Sequence, residues 1–177
     1  GIGGALARTG ERVQFIAREQ RLEALRAGLH WQTPDLDEVL VIPASAELPG
    51  TPHSDDVLCI ATKLHDAEAA LTALPDAWRD VPVVCWTNGT QAPRWANNAH
   101  RAVLACAVNV PASIESPNVA RLWGVPHYGA MHVGVLHGDG GAVETRLVHA
   151  LARAGFDAYR HDDVLPLLHA KWMTNLM

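Results

Sequence analysis

Two apolar runs joined by a helical stretch decide the fold: Asp56-Val57-Leu58-Cys59-Ile60-Ala61, then Thr62 to Leu74, then Val81-Pro82-Val83-Val84-Cys85-Trp86. Each run is short, continuous and apolar, the pattern of a parallel strand buried on both faces rather than the alternation of a half-solvated one. Between them Ala67, Ala70, Leu71 and Leu74 form one apolar stripe of a helix that Thr62 can cap. Pro82 stands at the start of its run, where the missing N–H costs least. The second run empties into Thr87-Asn88-Gly89, a turn signal. Strand, helix, strand in this order is a βαβ unit, so the expected class is α/β with an open, mostly parallel sheet.

Toward the N-terminus, Arg12 to Ala17 reads as a strand. Glu19 to Ala27 reads as a helix with Leu22 and Leu25 on its apolar face, ended by Gly28. Gly1 to Thr9 is a glycine turn feeding a short helix that stops at Gly10. Between Leu29 and Pro52, the run Val39-Leu40-Val41-Ile42 and several prolines suggest a hairpin or irregular strand with loops. Beyond the βαβ unit come a strand at Arg101 to Val110, a Pro/Ser/Asn-rich loop at Pro111 to Asn118, and a strand around Ala130 to Leu136. A helix from Val143 to Ala154 and an edge strand at Phe156 to Tyr159 follow. A last helix starts near His161, carries Asp162 and Asp163 in its first turn, and runs to Met177.

The 177 residues are 49% hydrophobic and 19% charged, enough apolar surface for a packed core. A net charge of −5 gives a nucleic-acid partner no electrostatic footprint. The longest clear apolar run, Ala102 to Val108, is far short of the ~18 residues of a membrane span, and no signal segment opens the chain. Cys59, Cys85 and Cys106 are an odd number with no CxxC spacing, as expected of free thiols in a reducing, cytoplasmic setting.

Several residues have the chemistry of a site. Gly1-Ile2-Gly3-Gly4 is either a flexible glycine-rich end or the latter half of a G-x-G-x-x-G fingerprint. In the second case Gly3 is its third glycine, and the first two lie upstream with their strand. Arg18 follows a strand about twenty residues past the first fingerprint glycine, where an arginine accommodates the 2′-phosphate of NADP. Arg21 can assist, and the adjacent Glu19 would favour NAD instead. Lys63 and Asn88 each follow the carboxyl end of an expected parallel strand, the edge at which open α/β sheets bind ligands. Lys171 and Asn175, four apart on the last helix, share a face. A lysine there is either an ordinary surface residue or a group able to protonate a developing alkoxide. His127, His132 and His137, at steps of five, match neither a helical pair nor one face of a strand, so no metal site is expected.

Taken in order, these residues resemble the ketopantoate reductase family (2-dehydropantoate 2-reductases) of the 6-phosphogluconate-dehydrogenase-like superfamily. The match lies in Gly1-Ile2-Gly3-Gly4 with Ala5-Leu6-Ala7, in Phe15-Ile16-Ala17-Arg18, in Ala61-Thr62-Lys63 and in Thr87-Asn88-Gly89. It ends in Lys171-Trp172-Met173-Thr174-Asn175, similar to the family's K-x-x-x-N. The resemblance implies a Rossmann-like NADP-binding domain over residues 1–160, its first strand missing from this chain. It also implies the start of an all-helical second domain at 161–177. It places Gly1, Ile2 and Gly3 along the pyrophosphate of NADP(H), Arg18 at the 2′-phosphate, and Lys63 beside the cofactor. Asn88 would touch cofactor and substrate, Lys171 would be the general acid, and Asn175 a substrate ligand.

The implied reaction is NADPH-dependent reduction of ketopantoate to pantoate, in pantothenate and coenzyme A synthesis. The implied partner is a small 2-keto acid, with no nucleic acid and no membrane, and with oligomer formation compatible. The chain as given is expected to be inactive by itself. His169-Ala170 before Lys171 and Trp172 after it depart from the family's usual surroundings. Another β-hydroxyacid or 2-keto acid dehydrogenase, or a non-catalytic NADP-binding module, are the other readings.

Overall fold

The computed structural model describes residues 1–98, 100 and 102–174; Arg101, Asn175 and the expected helix end at Met177 lie outside them. Along the chain run α1 (Ile2–Arg8), β1 (Phe15–Ile16), α2 (Glu19–Arg26), β2 (Leu29–Thr33), β3 (Leu36–Leu40), β4 (Ala44–Ser45) and β5 (Leu58–Ile60). Next come α3 (Leu64–Thr72), a 3-10 turn at Asp76–Trp78, β6 (Val83–Cys85), α4 (Gln91–Asn97), β7 (Val103–Asn109), β8 (Ala112–Ser116) and β9 (Val119–Leu122). The chain continues through β10 (Ala130–His137), α5 (Gly141–Arg153), β11 (Asp157–Arg160) and α6 (Leu165–Thr174). Two compact units divide these: Gly1–Pro49, Asn109–Ala130 and His149–Asp157 form one, and the remaining segments form the other.

The second unit holds the βαβ core. Its sheet has the order β11-β10-β7-β6-β5, and β5, β6 and β7 are mutually parallel, with Ile60 beside Cys85 and Cys85 beside Ala105. The N–H of His161 bonds the carbonyl of Val133 at 2.8 Å, tying the segment after β11 to β10. On one face, α3 and α4 cover Ile60, Val83, Cys85 and Val103 with Ala67, Leu71, Ala92 and Ala96. Small alanines let both helices approach the sheet closely. Further along, Val164 and Leu168 pack on Ala105 and Ala107 of β7, which fixes α6. Burial of side chains of this kind contributes about 1.5–3 kcal/mol each, so α6 is held by its apolar stripe.

The first unit is built around Trp31, which is fully buried. Its indole N–H donates to the carbonyl of Gly1 at 2.9 Å, and Tyr128 meets it edge-on at 5.3 Å. Tyr128 in turn packs on Phe156, and the Arg8 guanidinium lies 4.7 Å over the Trp31 ring. β1 and β4 form a short parallel pair, Phe15 beside Ala44. A four-stranded sheet has the order β3-β2-β9-β8, in which the antiparallel hairpins β2–β3 and β8–β9 join through a parallel β2–β9 pairing.

The structure corrects several expectations. The strand expected at 56–61, buried on both faces, is three residues long and lies at the sheet's edge, so Cys59 is exposed and only Ile60 is buried. The strand expected at 12–17 pairs with β4 alone and covers two residues. Lys63 rather than Thr62 is the N-cap of α3, without a side-chain cap. The Pro/Ser/Asn-rich segment after residue 110 is not a loop, because 112–116 pair with β9 as β8. Asp162 and Asp163 precede α6 instead of filling its first turn, and Asp163 accepts the N–H of Leu165 at 3.0 Å.

Candidate active site

Val164, just before α6, and Leu168 and Lys171 within it follow one another at spacings of four and three, so Lys171 continues the stripe that docks the helix on the sheet. Its aliphatic stem is thereby half-buried. Its ammonium Nζ donates to Oδ1 of Asn88 at 2.9 Å. Asn88 sits in the turn after β6, where Gly89 takes φ +79°, a left-handed conformation that favours glycine.

Burial holds the Lys171 ammonium below the ordinary lysine value, with a smaller opposing influence from Cys106. The Cys106 thiol on β7 is pushed up to about 12, chiefly by burial, and therefore stays neutral. A lysine in this setting releases its proton more readily than a solvated one, as a general acid should. No carboxylate bonds the Lys171 ammonium among the described residues. The sequence reading did not anticipate the electrostatic influence between Cys106 and Lys171, because nothing in the sequence links a β7 residue to the far end of α6.

Lys63 follows β5 as Asn88 follows the adjacent parallel β6, so both stand at one carboxyl edge of the sheet. Lys63 is exposed, its carbonyl accepts the N–H of Asp66 at 3.0 Å, and among the described residues its ammonium makes no hydrogen bond or ion pair. Of the residues singled out in the sequence, the structure therefore joins Lys171 to Asn88 and leaves the Lys63 ammonium unbonded on the same edge. Asn175 lies outside the described residues.

Gly1, Ile2, Gly3 and Arg18 belong to the other unit. Ile2 opens α1, and the Gly1 carbonyl is occupied by the Trp31 indole and the Ala5 N–H. A Cβ on Gly3 would stand 2.7 Å from the Phe15 ring, so Gly3 lets α1 pack closely against β1. This is the task of the third fingerprint glycine. Arg18 is the extended N-cap of α2, directly after β1, and its exposed guanidinium pairs with no acidic side chain among the described residues. An unpaired guanidinium in that place suits a phosphate. Among the described residues, no group of three or more His, Cys, Asp or Glu side chains is arranged to hold a metal.

An α/β unit with parallel strands and polar side chains at their carboxyl edge is of the ligand-binding class of open parallel sheets. Known families narrow the class. The chain belongs to the ketopantoate reductase PanE/ApbA family, whose model matches residues 1–138. Among solved structures it is similar to a PanE/ApbA family ketopantoate reductase from Ralstonia eutropha JMP134, at 27% identity and a TM-score of 0.77 over 98% of this chain and 56% of that one.

It is also similar in fold to a 2-dehydropantoate 2-reductase from Geobacter metallireducens GS-15, at 18% identity and a TM-score of 0.73 over 99% of this chain and 57% of that one. D-mandelate dehydrogenase in a ternary structure with NADH and anilino(oxo)acetate shares the fold at 17% identity and a TM-score of 0.81, over 96% of this chain and 55% of that one. The chain thus spans little more than half the length of these proteins. No curated protein matches it.

Proposed function

We propose that the protein of which this chain is part reduces a 2-keto acid with NADPH, ketopantoate being the favoured substrate and pantoate the product. The observation that carries the reading is the Lys171–Asn88 bond: a half-buried ammonium with lowered proton affinity, held at the ligand-binding edge of a parallel sheet. When bound, the nicotinamide supplies a hydride to the carbonyl carbon of the substrate. Lys171 stabilises negative charge on the carbonyl oxygen and gives it the proton that completes the alcohol. Asn88 orients the Lys171 ammonium through Oδ1 and keeps its own Nδ2 free to bind a substrate or cofactor oxygen. Lys63 contributes positive charge at the same edge. Arg18 holds the 2′-phosphate that distinguishes NADPH from NADH.

A second reading keeps the chemistry and changes the acyl group. Trp172, directly after Lys171, is 52% exposed and gives this helix end an apolar surface suited to a bulkier 2-keto acid. One assay separates the readings: cofactor oxidation by the full-length protein with ketopantoate, phenylglyoxylate and straight-chain 2-keto acids, each with NADPH and with NADH. Faster turnover of ketopantoate with NADPH supports the first reading, and faster turnover of phenylglyoxylate the second. Arg18→Ala is expected to raise the KM for NADPH by about tenfold or more while leaving that for NADH nearly unchanged. An equal loss for both cofactors removes Arg18 from phosphate recognition.

A further inference from the structure

Thr87 immediately precedes Asn88, is 6% exposed, and its hydroxyl has no hydrogen-bond partner among the described residues. The neighbouring Trp86 indole N–H is likewise buried and unpartnered. Buried polar groups in folded proteins are almost always paired, because an unmade bond forfeits the water each group has given up. The Thr87 hydroxyl, orphaned just where the chain leaves the sheet, is therefore a group completed by something other than the chain. The last ladder bond here runs from the Trp86 N–H to the Ile60 carbonyl at 2.9 Å, so Thr87 and Asn88 form the first free residues of the strand's carboxyl edge.

Most of the unused groups at this edge are donors. Asn88 has its Oδ1 taken by Lys171, which leaves the amide N–H groups as donors. Lys171 retains two further N–H donors, and Thr87 offers an O–H that can donate as well as accept. A surplus of donors beside an ammonium selects a ligand that presents acceptors and negative charge. In a 2-keto acid that part is the carboxylate.

Resting on the reading of this edge as a 2-keto acid site, we infer that Thr87 is a substrate-binding residue whose hydroxyl donates to the carboxylate of the 2-keto acid. The bond satisfies the orphaned hydroxyl only in the complex. It favours acids over the corresponding aldehydes or ketones, and it sets the carbonyl next to Lys171.

The test compares wild type, Thr87→Val and Thr87→Ser in the full-length protein. Val preserves the shape of Thr and removes the hydroxyl, whereas Ser keeps the hydroxyl. The expected result for Thr87→Val is a KM for the 2-keto acid about tenfold or more higher, since a bond to a charged group is lost. NADPH affinity, read by its fluorescence, should stay within about twofold, and the melting temperature should be unchanged or higher, since an orphan has been removed. Thr87→Ser should recover most of the lost KM. An unchanged KM in Thr87→Val, or an equal loss of NADPH affinity, overturns the assignment.

If the wild type turns over no 2-keto acid, the proposed function fails by itself. Thermal shift with oxamate as the probe then decides Thr87 separately. Stabilisation of wild type but not of Thr87→Val upholds its role as a carboxylate donor, and stabilisation of both or of neither overturns it.

Discussion

Lys171 at the end of α6 donates its ammonium proton to Oδ1 of Asn88 in the turn after β6, at 2.9 Å. Helix and turn lie far apart in sequence and meet because Val164 and Leu168 seat α6 on β7. The contact joins a lysine whose proton affinity is lowered by burial to a neutral amide, so the ammonium is oriented without being paired to a negative charge.

That neutrality has a kinetic consequence. With Lys171 as the proposed acid its protonated form is the active one, and turnover should fall as pH rises through its proton affinity, which burial sets below the ordinary value of 10.5. Asn88→Asp places a carboxylate where Oδ1 now accepts, favours the ammonium and moves the alkaline limb of kcat to higher pH. A stiffer hold on the proton also weakens the acid, and kcat at neutral pH should drop by about tenfold or more. The pH–rate profiles of wild type and variant check both effects, and a limb that stays in place refutes the contact's role.

Gly4 tests the packing of the first unit. A Cβ there would stand 2.4 Å from Cδ1 of Trp31 and 3.0 Å from Cδ2 of Leu29. In a helix, Gly→Ala ordinarily contributes about 0.5–1 kcal/mol of stability. Overpacking a fully buried indole costs about 1–3 kcal/mol, and the larger effect wins. Gly4→Ala should therefore lower the urea midpoint. A raised midpoint would mean that Trp31 is not fixed as described.

His132 governs part of the acid stability. Burial, and secondarily the neighbouring His161, hold it below the ordinary value of 6.5. His132 Nδ1 lies 2.9 Å from His161 Nε2, and its ring stacks on Tyr159. A histidine whose charged form is disfavoured by folding contributes stability that is complete above pH 6.5 and is lost as pH falls below it. His100, also depressed by burial, adds to the same loss. His132→Phe keeps a flat ring on Tyr159 and cannot titrate. Unfolding free energies measured between pH 7.5 and 5 should fall less steeply in the variant, and identical slopes would count against the assignment.

Much of this was legible in the sequence because it rests on local pattern. The βαβ unit showed in two apolar runs and one alanine-leucine stripe, and Asn88 and Lys63 followed from the rule that ligands gather at the strands' carboxyl ends. The edge position of β5 was not legible, since an apolar run does not say how many neighbours a strand has. Helix α4 escaped notice because Pro93 reads as a helix breaker, although it falls in the first turn, where proline is tolerated, and Ala92 and Ala96 mark its buried face. Strand β8 was masked by Pro117 and Asn118, yet its pairing with β9 comes from a partner strand, not from its own composition. Within the site, Thr87 stood in a recognised turn motif with no sign that its hydroxyl would be buried and unpaired. Only packing reveals that.

Whether Lys171 is the proposed acid of a 2-keto acid reduction is decided by comparing two proteins. The full-length protein and its Lys171→Ala variant are compared for kcat with NADPH and ketopantoate, alongside the Kd for NADPH. The expected result is a kcat lower by about 10²–10⁴-fold, the usual worth of a positioned acid, with a Kd changed by little. An undiminished kcat in Lys171→Ala would contradict it.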